Sequence, residues 1–428
     1  MKLTRRRLLR LGLLLVALAF LVFVGRPVAF LTWVWLHDPP EPPPVAGAGV
    51  NDASGLDPTK PGEVIPVATD PVAAEKQIAD LVRRAANEGR KIVISGARHS
   101  MGGHVLYPGA IVLDMLPFNA MSLDADQQVL TVGSGARWSD IIPFLDHRGF
   151  AVEVMQSNND FTIGGSLSVD CHGWQPDSPP IASTVLSFRL VTADGKILRC
   201  SRTENPELFS LVLGGYGLFG VILDAQLRVM PNAYYQAEAH FIAPKDYASL
   251  YEQLAIGQND VGLAYGRISV APDSFFTEAE LVVFKHVEPG RAVTDTLTPD
   301  PGHELKRIVF RGSVGSDYGK NLRWALEKWF GEKGDAPISR NDIMNEPADW
   351  YASHDPASTE VLHEYFIPAA RLGEFIEKAR PVFLRHHQDL LNVTVRRVDT
   401  DHDAFLRYAR EPVFGLVMLF HQGLDAAS

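Results

Sequence analysis

A chain of 428 residues is too long for one small core, so two domains plus a non-globular segment is the natural expectation. It carries 40 Lys and Arg against 51 Asp and Glu, a net charge of -11, and beyond the first ten positions the basic residues are scattered, which argues against nucleic acid as a partner. Only Cys171 and Cys200 are present, so at most one bridge could form and the fold must stand on its core.

The first ten residues hold Lys2, Arg5, Arg6, Arg7 and Arg10 and no acid, and an apolar run from Leu11 to Gly25 follows. Alone, that run is short of the roughly 20 residues a spanning helix needs. Continued through Arg26 and Pro27 to Leu36 it can span, with Trp33 and Trp35 as an interfacial belt. The basic flank then stays cytoplasmic and the body lies on the outer, periplasmic side, or the protein is exported. Residues Thr4 to Arg10 also resemble a twin-arginine export signal, and a Sec-type signal anchor remains an equal alternative. Ala46-Gly47-Ala48 could be cleaved but sits far beyond the apolar run, so an uncleaved anchor over residues 1–37 is expected. Residues 38–61, rich in Pro and Gly, read as an extended tether.

Globular sequence begins at Gly62. Helical spacing of Ala73, Ile78, Leu81, Val82 and Ala85 predicts a helix over Val72–Glu88, followed by a short strand at Lys91–Ser95. Strands are expected at Ile111–Asp114 and Val129–Val132, with a helix from Trp138 to His147 closed by Gly149. A strand at Val185–Val191 turns at Ala193-Asp194-Gly195-Lys196 into Ile197–Cys200, and another covers Val221–Val229. From about Pro231 the glycines thin out and longer alternating strands begin. Residues 62–234 and 235–428 are therefore expected to form two domains, and no internal repeat is evident.

Three Gly-rich segments carry the chemistry. Ser95-Gly96-Ala97-Arg98-His99-Ser100-Met101-Gly102-Gly103-His104 follows a strand, and its small residues let backbone N–H groups approach an anion such as a pyrophosphate. It lacks the glycine spacing and following helix of a Rossmann fingerprint. The second segment runs from Thr162 to Gly173 and the third from Gly214 to Gly220.

In order and context these segments resemble the FAD loops of the vanillyl-alcohol oxidase superfamily, whose flavin domain is also called PCMH-type. Ile94 to Ser100 resembles the first loop, Thr162-Ile163-Gly164-Gly165-Ser166 through Cys171-His172-Gly173 the second, and Gly217-Leu218-Phe219-Gly220-Val221-Ile222 the third. Phe188 to Lys196 matches the hairpin between them. The resemblance implies an α+β protein: an FAD domain of two α/β lobes plus a cap domain with an antiparallel sheet and helices. The FAD contacts it implies are Ile94, Ser95, Gly96, Ala97, Arg98, His99, Ser100, Ser157, Thr162, Gly164, Gly165, Val169, Asp170, Cys171, His172, Gly173, Gly220, Val221 and Ile222; no metal is implied. Arg98-His99-Ser100 is similar to the aldonolactone and alditol oxidase branch, in which that histidine is bonded to the flavin, and His104 lies beyond the matching stretch. Asp170-Cys171-His172-Gly173 is similar instead to the decaprenylphosphoryl-ribose oxidase branch, whose flavin is not covalent. Cys171 is expected to pack against the cofactor rather than bond to it.

His363 to Pro368 and Asn392 to Arg396 read as strands with alternating faces and resemble cap strands of the lactone and alditol oxidases. There the family presents a glutamate and an arginine two residues apart; here Arg396 is kept and Thr394 stands in the glutamate position. With Glu364, these are the expected catalytic residues. The implied reaction oxidises a carbinol carbon of a sugar lactone or polyol, or of a lipid-linked sugar, with oxygen, a quinone or a cytochrome as electron acceptor. A flavin-binding protein without turnover is the rival. Relatives return to the flavin domain near their C-terminus with a lysine and an Asp-Pro pair. This sequence reaches Ser428 soon after the strand Val413–Phe420 without them, so a short cap and weak turnover are expected unless His363, Glu364 or another cap residue supplies the base.

Overall fold

The computed structural model describes residues 5–40, 50–288, 297, 302–331 and 336–424. The start of the twin-arginine-like stretch, the candidate cleavage site at 46–48 and the last four residues lie outside these.

The N-terminal apolar sequence is helical throughout: α1 (Arg5–Phe20), a π-helical turn over Leu21–Gly25, and α2 (Arg26–His37). Gly12–His37 forms one apolar stretch of 26 residues, long enough to cross a bilayer. The expected tether is more structured than its composition suggests. Over residues 50–61, buried Asp52 accepts from Gly103 N at 2.8 Å, Ala53 N donates to Arg98 O at 3.0 Å, and Thr359 Oγ1 donates to Ser54 O. This strap joins the first Gly-rich segment to the later sheet.

The first lobe is a parallel sheet of β1 (Glu63–Pro66), β2 (Ile92–Ser95) and β3 (Ile111–Asp114) in the order β1-β3-β2. Its crossover helix α3 (Pro71–Glu88) starts at Asp70, whose side chain accepts from Ala73 N, and stops at Gly89 with φ +64°. Its buried face, Ala74, Ile78, Leu81 and Ala85, packs on Ile111 and Leu113.

The second lobe is antiparallel. β4 (Met121–Asp124), β5 (Val129–Gly133), β6 (Phe150–Val152), β7 (Val185–Val191), β8 (Ile197–Ser201) and β9 (Val221–Pro231) form one sheet around β9, with α4 (Trp138–Asp146), α5 (Ile163–Ser168) and α6 (Pro206–Val212) against it. The flavin domain thus joins a lobe with a parallel sheet to one with an antiparallel sheet, each packed with helices.

The third sheet has seven strands: β10 (Tyr234–Ile242), β11 (Val261–Ile268), β12 (Ala279–His286), β13 (Ile338–Ser339), β14 (Ser358–Pro368), β15 (Asp389–Val398) and β16 (Val413–Gly423), in the order β13-β10-β12-β11-β15-β16-β14. Strand periodicity splits its residues between two destinations. Val393, Val395, Phe414, Leu416 and Met418 face α7 (Tyr247–Leu254) and α11 (Leu372–His386) in a closed core. On the other face, Leu263, Tyr265, Val282 and Phe284 share a core with the second lobe. Helices α8 (His303–Arg311) and α9 (Asp317–Phe330), and the short α10 (Arg340–Met344), complete the cap.

Arg340, 2% exposed, joins the two bodies: it donates to Val152 O at 3.0 Å, Glu153 O at 2.7 Å and Gly262 O at 3.3 Å. Asn341 adds donations to Asp146 Oδ1 and Phe150 O. Deleting a buried guanidinium orphans its carbonyls, so Arg340→Met should lower stability by about 3 kcal/mol or more. The urea unfolding midpoint checks this; a variant melting with the wild type would show that the shared apolar core alone holds the bodies together.

Candidate functional site

The three Gly-rich segments converge because side chains are missing where backbones meet. A Cβ on Gly96 would lie 2.2 Å from Thr162 Oγ1, so the first segment seats on the second only as glycine. Gly173 approaches Met155 O so closely that a Cβ would stand 1.9 Å from it. The third segment docks on the second through Gly214 N to Leu167 O at 3.0 Å and Tyr216 N to Ser168 O at 2.9 Å, and Gly217 lies beside the Ile94 side chain. One continuous cradle results.

Its lining fits a large polar cofactor. Thr162 caps α5 by accepting from Gly165 N, and Ser100 Oγ and Ser134 Oγ are buried without protein partners, as are Asn159 Oδ1 and Arg396 Nε. Buried hydroxyls of that kind suit an anionic or hydrogen-bonding ligand. Arg98 has φ +60° and donates Nε to Ser95 Oγ at 2.9 Å. Val169 is exposed at the end of α5, whereas Val221 and Ile222 are core residues of β9, so only their main chain is left for a ligand.

His99 is mostly covered. Its ring lies 5.0 Å from that of Phe161, and Nε2 is 4.0 Å from Asp349 Oδ1. His99, Asp160 and Asp349 bring their ligand atoms within 4.8 Å of one another. Asp160 accepts from Ala348 N and Asp349 N, latching a cap segment over the flavin lobe. Burial, then the Asp349 carboxylate, raises the Asp160 carboxyl. His104 is exposed and lies against Tyr216 of the third segment, apart from this group.

The cap contributes the opposite wall. Across the β14–β16–β15 ladder, Glu364 and Thr394 both pair with Val417, and Phe366 and Arg396 both pair with Gly415, so all four project from one face. Glu364 Oε1 lies 2.7 Å from His172 Nε2, and Arg396 Nη2 donates to Ser157 Oγ at 2.8 Å. A Cβ on Gly415 would crowd both Glu364 and His172 at 3.2 Å. Burial opposes ionisation of Glu364, but the charge and hydrogen bond of His172, with Arg396, outweigh it and leave its carboxyl below the ordinary range. Burial acts the opposite way on Arg396 and lowers it. Thr394 Oγ1 accepts from Asn392 Nδ2 at 2.9 Å, so its hydroxyl is engaged within its own strand. His363, one residue from Glu364, points to the other face, where it meets Phe420 and a groove against α11. It is no candidate for the base.

Sequence reading did not pair His172 with Glu364, and it missed Tyr408 and Phe366. Tyr408 donates its hydroxyl to Asp170 O at 2.6 Å and stacks on Phe366 at 4.3 Å, boxing His172 with aromatic rings. No local pattern marks a tyrosine in an irregular loop. Burial pushes the Cys171 thiol up to about 12, so it is a neutral packing group.

With this geometry in place, the fold and site define a flavin-binding protein of two-lobed type. An FAD binding domain family model matches residues 69–201. The chain is 32% identical over 319 residues to an uncharacterized oxidoreductase of the fasciation locus of Rhodococcoides fascians, covering 72% of this chain and 66% of that protein. It is 29% identical over 251 residues to cytokinin dehydrogenase 2 of Arabidopsis thaliana (56% and 49%) and 26% over 161 residues to L-gulonolactone oxidase of Bos taurus (38% and 37%). The chain therefore spans between about a third and two thirds of these relatives' lengths. Its FAD binding domain is of the PCMH type, as in the vanillyl-alcohol oxidase superfamily.

Asp170 gives a testable consequence. Its Oδ1 accepts from Ala182 N at 2.9 Å, and burial, then the Asp401 carboxylate, pushes its carboxyl well above the usual range. The folded protein holds a proton there that the unfolded chain releases above about pH 3.9, so this group's contribution to stability declines as pH rises through the window above that value. Asp170→Asn keeps the shape without the charge. It should raise the unfolding temperature at pH 8 and give no gain near pH 3; thermal melts showing a loss at pH 8 would contradict the assignment.

Proposed function

We propose that this protein oxidises a carbinol carbon of a sugar-derived substrate, an aldonolactone or polyol, with FAD held in the cradle by the three Gly-rich segments. The observation that carries this reading is the His172–Glu364 pair, facing Arg396 across the junction of flavin lobe and cap. FAD supplies the hydride acceptor when bound. The chain's own residues handle the rest. Glu364 holds the imidazole through Nε2 and leaves Nδ1, buried and without a protein partner, to receive the substrate hydroxyl proton. Arg396 steadies the oxygen as it gains negative charge. Glu364 is at the same level of the sheet as Thr394, so a carboxylate from β14 serves where the family's glutamate would come from β15.

His99 is the residue that would hold the flavin covalently. Oxygen, a quinone or a cytochrome would reoxidise the flavin. The apolar N-terminal helix would anchor the protein at a membrane. A lipid-linked sugar is the second reading, favoured by the seating of that helix on the cap, where Phe30 meets Tyr318 at 5.0 Å.

Anaerobic bleaching of the flavin by a panel of lactones, polyols, a polyprenyl-linked sugar and a cytokinin tests the reaction. Glu364→Gln should keep the flavin yet slow bleaching by about 10²-fold or more. Unchanged bleaching would remove the pair from the mechanism, and reduction by the cytokinin alone would replace the substrate class. Acid precipitation should leave flavin on the wild type and release it from His99→Ala; release from both would make the cofactor non-covalent.

A further inference from the structure

Helix α9 is amphipathic in the reverse sense for a surface helix. Apart from exposed Asp317 in the first turn and partly exposed Lys328, its charged side chains point into the protein: Arg323 and Glu327 are paired at 3.0 Å, Arg323 also donates to Leu391 O, and Glu327 accepts from Arg267 at 2.8 Å. Lys320 is bonded to Asp389, and Lys328 with Trp324 Nε1 to Glu278. The opposite stripe is Tyr318, Leu322, Ala325 and Trp329, spaced for one face and flanked by Leu326 and Phe330. Trp329 and Phe330 are 72% and 77% exposed, and Leu305 of neighbouring α8 is 60% exposed. No charged residue interrupts the stripe.

The beginning of this stripe is already docked on the apolar N-terminal helix. Phe30 meets Tyr318 edge-on, the Arg26 guanidinium lies 4.0 Å over the Tyr318 ring, and Gly312 and Gly319 let Phe30 and Val34 approach the α8–α9 corner. Arg307 of α8 closes the arrangement by donating to Asp38 at 2.8 Å. Length then fixes the level of the contact. A hydrocarbon core of about 30 Å takes about 20 helical residues, so a span that starts at Gly12 reaches the far boundary near Leu31. Tyr318 against Phe30 is therefore at the bilayer boundary, and the rest of α9 continues from there.

We infer that α9, through Tyr318, Leu322, Ala325, Trp329 and Phe330, lies in the lipid interface as a second membrane contact beside the N-terminal span. This rests on the anchor reading proposed above. The partner is the bilayer itself: tryptophan and phenylalanine on one face of a helix bury into the headgroup boundary, and Lys320, Arg323 and Glu327, which would oppose burial, are turned inward. Because the inward face of α9 bonds to Arg267 and Asn392, beside Thr394 on the site face of the sheet, the contact holds the substrate wall against the membrane.

The full chain, reconstituted in phosphatidylcholine vesicles, carries a polarity-sensitive thiol label at one of three positions; Cys171 and Cys200 are buried and do not compete. Phe330→Cys reports on α9, Leu21→Cys on the middle of the span, and Val382→Cys on α11 across the sheet. Lipid with a nitroxide near the headgroup should quench Phe330→Cys to within about twofold of the effect of a deep nitroxide on Leu21→Cys, and leave Val382→Cys unchanged. Quenching at Leu21→Cys without quenching at Phe330→Cys overturns the inference while the anchor stands. A blue-shifted but lipid-insensitive Phe330 label means a protein surface covers α9, which also overturns it. No quenching at either site removes the anchor and the interface together.

Discussion

The cofactor cradle depends on glycine backbone approaching its neighbours at distances that a β-carbon forbids. Gly96 against Thr162, Gly173 against Met155 O and Gly220 against Val191 O are contacts at which any side chain would force the chain apart. Together with the bonds from Gly214 N to Leu167 O and from Tyr216 N to Ser168 O, they bring three separate segments of the chain into one surface. The strap of residues 50–61 and the latch at Asp160 then hold that surface shut from the cap side.

Across the junction, charges removed from water are answered locally. Glu364 and Arg396 stand on a sheet face whose alternate residues serve a closed apolar core, so the strand period that buries Val393 and Val395 aims Thr394 and Arg396 at the flavin lobe. His172 reaches this face from the second Gly-rich segment and completes a pair that neither domain holds alone. The same rule, charge inward and matched, operates in α9, where Glu327 lies between Arg267 and Arg323. There it leaves an apolar face outward.

The apolar N-terminal helix and the candidate site are structurally coupled. From Asp38 at the end of the apolar helix, Arg307 reaches the carbonyls of Trp350 and Ala352, which adjoin Asp349 beside His99. A chain of contacts therefore runs from the end of the apolar helix to the first Gly-rich segment.

The sequence by itself determined the parts whose signals are local. Glycine clusters, the first of them directly after a strand, marked the three loops, helical spacing marked α3 and α4, and a basic flank before an apolar run marked the N-terminal helix. The resemblance to family cap strands singled out Arg396, with Glu364 named beside it as a possible base. Only the tertiary structure decided what depends on residues distant in the chain. It set His172 on Glu364, placed Tyr408 over Asp170, seated half of the expected tether on the first loop, and turned His363 away from the site. Each of these follows from which strand lies next to which, β14 beside β16 and β16 beside β15. That order is fixed by the summed burial of whole sheet faces, and no single stretch of sequence carries it.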